Sequence, residues 1–409
     1  MVILNNKKSI FFLLLLFIFT INLSISFSKY KELVYEEVFE VEAKVVNIYE
    51  KNDYDILKLK TEDYVFFTSI NKNEDFKKLD NILIAFLTVK VSYIDYLKGF
   101  YTKSIYYEKV NKEENFKTNL IVTIDKKHED NLNSELFQAL FLAVPISKEL
   151  RDICANYGIS HLVALSGFHL GVIIFLIYWI FYFPYKYLQI KYFPYRNRKL
   201  DLLVITFIFL LLYVILTDFV PSLVRAFIMF CMGLVLLRSN IKLFSFENLL
   251  YVLLVITALF PSFIFSLSLW FSMFGVFYIL LFIQYFKDYK NRVVQVLIFN
   301  FWIYLAINPV VHYFFATTSI EQLYSPFITL LFTLFYPFEL FIHMFSFSNL
   351  LDEYLFIFLT KEIISYEVYT PLWFFIVYIG VSFLSIFNRY AFYILNCLLL
   401  LFTGFLYLI

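Results

Sequence analysis

Residues 158–171 read GISHLVALSGFHLG and run directly into the apolar segment VIIFLIYWIFYF. The whole chain of 409 residues holds only 8 glycines and 5 histidines. This short stretch takes Gly158, Gly167 and Gly171 together with His161 and His169. On a continuous helix, Ser160, Gly167 and Gly171 fall within roughly 40° of one another. A small-x-x-x-small pair such as Gly167 and Gly171 lets a second backbone approach closely in lipid. His161, Ser166 and His169 spread over a different sector, about 140° wide. Two imidazoles and a hydroxyl at membrane depth need partners or water. They are therefore expected to face a polar path, with simple helix-to-helix bonding as the plainer role.

Composition places this stretch in a membrane. The chain is 61% hydrophobic and 16% charged, whereas soluble domains run at about 45–50% and 25%. Apolar runs long enough to cross a bilayer recur, so the expected fold is an α-helical membrane bundle of about 8–10 transmembrane helices. The 54 Phe and 33 Tyr read as a coding bias and carry little functional weight. A formal charge of +1 shows no global attraction for an anionic partner. Cys154, Cys231 and Cys397 lie far apart without metal-ligand spacing, so neither a disulfide framework, a metal site nor a cofactor is expected.

The chain reads as three parts. Residues 1–28 carry Lys7 and Lys8 ahead of an apolar run from Ile10, which suits an uncleaved anchor better than a cleaved signal. The positive flank stays in the cytoplasm and the next segment is exported. That segment, 29–130, reads as strands. In FEVEAKVV, Phe39, Val41, Ala43 and Val45 alternate with Glu40, Glu42 and Lys44, the period of a half-buried strand. DILKLK at 55–60, then 63–70, 81–94 and 100–110, are read as further strands, separated in the middle by the loop 71–80. About five strands suit an exported all-β domain of OB-like type. Residues 131–409 form the polytopic part. It opens with a short apolar run near 136–144 and an amphipathic helix at 146–158. The spans that follow are 159–183, 201–219, 221–238, a broken region at 248–286, 293–308, 322–347, 371–387 and 390–408, with a surface helix near 354–363. The loop 184–200 carries Lys186, Lys191, Arg196, Arg198 and Lys199. Arg238 with Lys242, and Lys287 with Lys290 and Arg292, continue the same positive-inside alternation.

Two further stretches draw notice. In DFVPSLVRAFIM, 218–229, Pro221 can open a helix without losing a hydrogen bond, and Arg225 then lies one turn inside an apolar span. An intramembrane guanidinium calls for an anion, water or a carboxylate. A phosphate contact at a helix N-terminus is one role, and an ion pair with Asp218 is the other. The stretch 308–331 mixes His312, Thr317, Thr318, Ser319, Glu321 and Gln322 with Pro309 and Pro326. That suits a broken or re-entrant segment or an exported loop. No P-loop and no His-rich metal motif occurs. The LSGFH context of Ser166 lacks the strand-turn-helix setting of a nucleophile elbow, which leaves an intramembrane hydrolase on Ser166 and His169 as a minor alternative.

On these residues the chain resembles the ComEC family of competence proteins. The family's Ser-His-Leu-x-Ala-x-Ser-Gly-x-His signature is met by Ser160, His161, Leu162, Ala164, Ser166, Gly167 and His169. Its Pro-Ser-x-x-Arg-Ala pattern is met by Pro221, Ser222, Arg225 and Ala226. A third stretch, 260–276, keeps Ser266 and Ser272 but has Trp270 where Gln is usual and Leu267-Ser268 where Pro-Gly is usual. The resemblance implies a bacterial inner-membrane channel for uptake of single-stranded DNA in natural transformation, not an enzyme. It implies a short form without the metallo-β-lactamase-like domain many members carry. Its partners would be single-stranded DNA, membrane lipid, a periplasmic DNA-binding competence protein and a cytoplasmic ATPase or DNA-processing protein, with a homo-oligomer allowed. His161, Ser166, His169 and Arg225 are then expected to line the path. Tyr93, Phe100 and Tyr101 of the exported domain are candidates for base stacking. The competing reading is a transporter or membrane enzyme for a lipid-linked or polysaccharide substrate, and a membrane scaffold is the third.

Overall fold

The computed structural model describes residues 2–407 except 52, 72–75, 111–114, 237–244, 288–290 and 346–348. Arg238, Lys242 and Lys290, and part of the expected loop 71–80, lie outside the described residues. The chain divides into two compact units, Met1–Asn119 with Tyr251–Leu269, and Leu120–Leu250 with Trp270–Ile409.

The first unit begins with the long helix α1 (Val2–Tyr35). The apolar helix does not stop at Ser28. Tyr30 and Leu33 extend it into the core of the β domain, because burying them there removes their apolar surface from water. The strands are β1 (Val38–Glu50), β2 (Tyr54–Lys60), β3 (Val65–Asn71) and β4 (Asn81–Leu87). Helix α2 (Tyr93–Lys98), β5 (Phe100–Tyr101) and β6 (Ser104–Val110) follow. They form one sheet in the order β5-β3-β2-β1-β4-β6. All pairs are antiparallel except β3 with β5.

The alternation read from sequence holds. Ala43, Val45, Leu57 and Leu59 are buried, and Phe39 and Val41 pack against the same core. A bulge between Val45 and Asn47 bends the long strand β1. The expected strand at 81–94 ends instead at Leu87. Ser92 caps α2 by accepting from the Asp95 N–H, a local bond that offers the backbone an alternative to the ladder. The 3₁₀ turn Pro261–Phe265 belongs to this unit, and Lys98 lies 5.3 Å over the Phe265 ring.

The second unit is helical: α3 (Phe116–Asp125), α4 (Asn131–Leu142), α5 (Lys148–Asn156), α6 (Ser160–Val163), α7 (Gly167–Tyr192), α8 (Arg198–Leu216) and α9 (Pro221–Leu236). Helices α10 (Phe246–Leu259) and α11 (Leu267–Phe286) flank the 3₁₀ turn. Then come α12 (Arg292–Phe314), β7 (Thr317–Thr318), α13 (Ser325–Met344), α14 (Asp352–Leu359), β8 (Tyr366–Glu367), α15 (Leu372–Leu384) and α16 (Arg389–Tyr407). Among the described residues, 7 helices are long and apolar enough to cross a membrane, and three shorter apolar ones lie at Pro221–Leu234, Phe246–Leu259 and Leu372–Leu384. The chain is a multi-pass membrane protein. Leu334, Leu400 and Leu401 are 75%, 67% and 68% exposed, which suits lipid and not water.

The expected loop 184–200 is mostly helix. α7 continues through Pro184 to Tyr192, and only 193–197 turn. The turn is closed by Arg196, whose Nε and Nη2 each donate to Asp201 at 2.8 Å. Tyr185 also donates to Asp201. Asn197 caps α8. The charges taken for a loop therefore serve a tight helix-to-helix connection.

The β-domain core rests on Phe66, which is fully buried and packs on Phe86 at 4.6 Å between ring centroids. Phe66→Ala should cost about 3–5 kcal/mol. Limited proteolysis of the full chain should then cut within 38–110 at temperatures where wild type resists. Tyr101→Ala, on the surface, should change stability by no more than about 0.5 kcal/mol. Equal resistance of Phe66→Ala and wild type would disprove this account of the core.

Candidate functional site

The quoted stretch is not one helix. Gly158 ends α5 in the left-handed region, with φ +66°, where glycine carries no Cβ penalty. A Cβ there would also meet Gln322 Cγ at 3.3 Å. α6 covers only Ser160–Val163, and the chain is extended at Ala164 and Ser166 before α7 starts at Gly167. The common face predicted for Ser160, Gly167 and Gly171 therefore does not form. The break follows from capping. Ser166 accepts from the Phe168 N–H, while its own N–H donates to His169 Nδ1 at 3.1 Å. This is a capping box with histidine in the place usually held by Glu or Gln.

That bond fixes the histidine. Because Nδ1 accepts, the neutral ring carries its proton on Nε2. His169 is buried, and its Nε2 has no hydrogen-bond partner among the described residues. Tyr336 and Phe332 of α13 pack against its ring. Ser166 Oγ also lies 3.1 Å from Nδ1. The nitrogen that would act as its base is already accepting the Ser166 backbone N–H, so the geometry is that of a helix cap. His161 is placed differently. It keeps accessible surface, and its Nε2 lies 3.2 Å from Thr329 Oγ1. Thr329 donates to the Ser325 carbonyl, so His161 is the donor of the pair.

The second motif locks onto the first. Ser222 donates to the carbonyl of Leu165, inside the break. Arg225, 5% exposed, donates from Nε to Ser272 Oγ at 2.6 Å, and its Nη1 lies 3.2 Å from Met229 Sδ. Its Nη2 would stand 3.0 Å from a Cβ on Gly167, and Ala226 Cβ 3.5 Å from it. Gly167 is thus the gap into which the guanidinium fits. Its polar partners are Ser272 and Met229, not Asp218, which is exposed at φ +56°. Among the described residues no carboxylate is within ion-pair distance of Arg225. A buried cation here faces the first turn of α7, whose helix dipole adds positive potential. Such a place favours an anion.

The stretch 308–331 has a structural task. Gln322 Nε2 donates to the carbonyls of Ala155 and Thr317, Ser319 to Asn156, and Ser325 to Gly158. These bonds satisfy the carbonyls left open at the end of α5. α5 itself is amphipathic as expected, with Leu150 and Cys154 buried. Burial first, and the nearby Glu135 second, push the Cys154 thiol up to about 12, so it is no thiolate at neutral pH.

The structure thus gathers Ser166, Gly167, His169 and Arg225, with His161 on the accessible side. It leaves Gly171 open, with nothing within 4 Å of a Cβ. In the β domain, Phe100 is buried against Phe66 in the core, and the half-buried Tyr93 packs on Phe27 and Tyr30 of α1. Tyr101 is exposed, with its hydroxyl 3.1 Å from Ser69 Oγ. Sequence reasoning did not place Ser222, Ser272, Thr329 or Tyr336 in the site. Ser222 and Ser272 belong to the second and third motifs, which was the signal available for them.

Fold and site together define a multi-pass membrane protein whose membrane part is organised around a buried arginine. Residues 144–408 match the family described as Competence protein. The chain belongs to that family, the ComEC-like proteins of DNA uptake. Neither the curated proteins nor the solved structures contain a match to it.

The gap at Gly167 can be tested directly. Gly167→Ala should push the guanidinium off Ser272 and cost about 1–3 kcal/mol by overpacking. Gly171→Ala, facing open space, should leave abundance and uptake unchanged. Membrane abundance and DNA uptake measured for both variants decide this, and equal behaviour of the two would refute the proposed fit.

Proposed function

We propose that the protein is an inner-membrane channel admitting single-stranded DNA to the cytoplasm during natural transformation. The observation that carries the reading is Arg225. It is a buried guanidinium without a carboxylate partner among the described residues, set against the first turn of α7 where three motif stretches converge. A fixed positive centre at Arg225 attracts a passing phosphate backbone without trapping it where contacts such as that of His161, which keeps accessible surface, are weak and multiple. His161 then lines the path. Ser166 and His169 shape it, and Arg225 supplies its charge.

The β domain fits the role of receiving the strand. Its strand order and the parallel β3–β5 pair support the OB-like reading. A groove on one face is lined by Tyr54, Ser69, Asn71, Lys103 and Tyr106, and it offers aromatic faces and one cation for bases and phosphates. Tyr101 is exposed in the same domain, while Tyr93 and Phe100 serve the core. A periplasmic DNA-binding protein and a cytoplasmic ATPase or DNA-processing protein are the partners this role requires.

Loss of the protein should leave labelled DNA outside the cytoplasm while its entry into the periplasm continues. Arg225→Lys keeps the charge but loses the planar fork, so uptake should fall partly. Arg225→Ala should nearly stop it. Asp218→Ala should leave uptake and abundance near wild type, since Arg225 does not depend on it. Cytoplasmic uptake in cells lacking the protein would defeat the channel reading. Full uptake in Arg225→Ala would remove the guanidinium from it.

A further inference from the structure

A second cluster of buried ionisable groups lies where the α3–α4 link, α13 and α14 meet. The His128 side chain is fully buried, and its Nδ1 lies 2.9 Å from both carboxylate oxygens of Asp352. An ionised carboxylate only accepts, and Asp352 opens α14. Nδ1 of His128 therefore carries a hydrogen. His343 Nδ1 lies 2.7 Å from the backbone carbonyl of Glu339, which also only accepts, so this nitrogen carries a hydrogen too. The two Nε2 atoms face each other at 3.0 Å. Two neutral rings would then set lone pair against lone pair. A hydrogen bond across that gap needs one additional proton.

We propose that His128 and His343 form a proton-binding site, an imidazole–imidazolium pair that shares one proton between its Nε2 atoms. The surrounding charges agree. Glu339 is fully buried, and its carboxylate accepts no hydrogen bond among the described residues. Its Oε2 is 3.3 Å from His343 Nδ1. An isolated carboxylate in that position is costly, and an imidazolium next to it compensates. Lys127 donates to the carbonyl of His343 at 2.6 Å. Lys127 and one imidazolium balance Asp352 and Glu339. On the same link, Asp125 is engaged with Ser134 and Gln138, and Asp130 caps α4. Glu353 follows Asp352 in the first turn of α14. The face of α4 against the pair is uncharged: Phe137 stacks on His128, Phe141 packs on His343, and Asn133 donates to the Asp352 carbonyl. Among the described residues no three His, Cys, Asp or Glu side chains are placed to hold a metal ion.

The folded arrangement sets the two Nε2 atoms where they share a proton, and an opened one does not. The effect reaches the candidate path through α13. The helix that carries His343 also places Thr329 against His161 and Tyr336 against His169.

The test uses the full chain, labelled with ¹⁵N-histidine in lipid or detergent. Only 5 histidines contribute, so ring-nitrogen shifts resolve each state. The expected spectrum shows one imidazolium-type ring in the pair at neutral pH. His343→Gln places an amide donor opposite His128 Nε2 without an added proton. It should abolish that signal, and His128→Gln should do the same. If either variant fails to fold, the wild-type spectrum decides alone. Two neutral rings at neutral pH would overturn the proposal. So would stoichiometric Zn²⁺ binding by wild type that both variants lose.

Discussion

The membrane part of this protein depends on holding one guanidinium where water does not reach. Arg225 hydrogen-bonds Ser272 and lies against Gly167, with Ser222 on its own helix anchoring Leu165. Each neighbour answers to that cation. A side chain at 167 would take its space. A continuous helix through 158–171 would bring Ser166 and Leu165 out of reach, and the capping box of Ser166 and His169 ends that possibility. Removing a charge from water costs several kcal/mol unless fixed dipoles or a counter-charge replace the lost hydration. Here the replacement is a hydroxyl and a thioether, with a helix N-terminus adding potential of the same sign. Among the described residues no carboxylate stands within ion-pair distance of Arg225 to offset that cost.

The elements that repeat locally were legible in the sequence. Strand alternation at 39–45 and 57–59, the amphipathic turn around Leu150 and Cys154, and the interruption near Pro261 all follow from the spacing of neighbouring residues. The departures arise where one side chain outweighs a pattern. Ser92 starts a helix inside an expected strand. Ser166 breaks a helix that hydrophobicity alone would continue. Arg196, Asn197 and Asp201 compress a basic loop into a turn. At the site, Gly167, Ser166, His169 and Arg225 stood out because glycine, histidine and arginine are scarce in apolar runs. Their mutual geometry was not legible, since Arg225 meets Gly167 from 58 positions away. Nor was the burial of Phe100. An aromatic on a strand has the same letter whether it faces core or solvent.

The pairing of His128 with His343, separated by 215 positions, marks the limit of such reading. His128 lies in a charged run, KKHED, that reads as a solvated link. His343 lies in an apolar one, and only packing brings them together. Neither residue belongs to a motif. What identifies them is the direction of their hydrogen bonds. Two ring nitrogens are committed as donors by acceptor-only partners, so the opposing nitrogens must share a proton.

The same accounting separates structure from function elsewhere in the bundle. The polar run that holds Ser319 and Gln322 read as a broken or re-entrant segment or an exported loop. It is consumed by the carbonyls of Ala155, Asn156 and Gly158, which a helix end leaves open and lipid cannot satisfy. His161 keeps a hydroxyl partner and its accessible surface. Among the buried polar atoms that have no partner among the described residues, His169 Nε2, the Tyr336 hydroxyl and the Glu339 carboxylate lie on the start of α7 or on α13. Arg225 stands against the same start of α7, with no carboxylate within ion-pair distance among the described residues. A chain that needed only to fold in lipid would gain stability by replacing such groups with packed apolar side chains. Their concentration on α7 and α13 is what the proposed path and the proposed proton pair have in common.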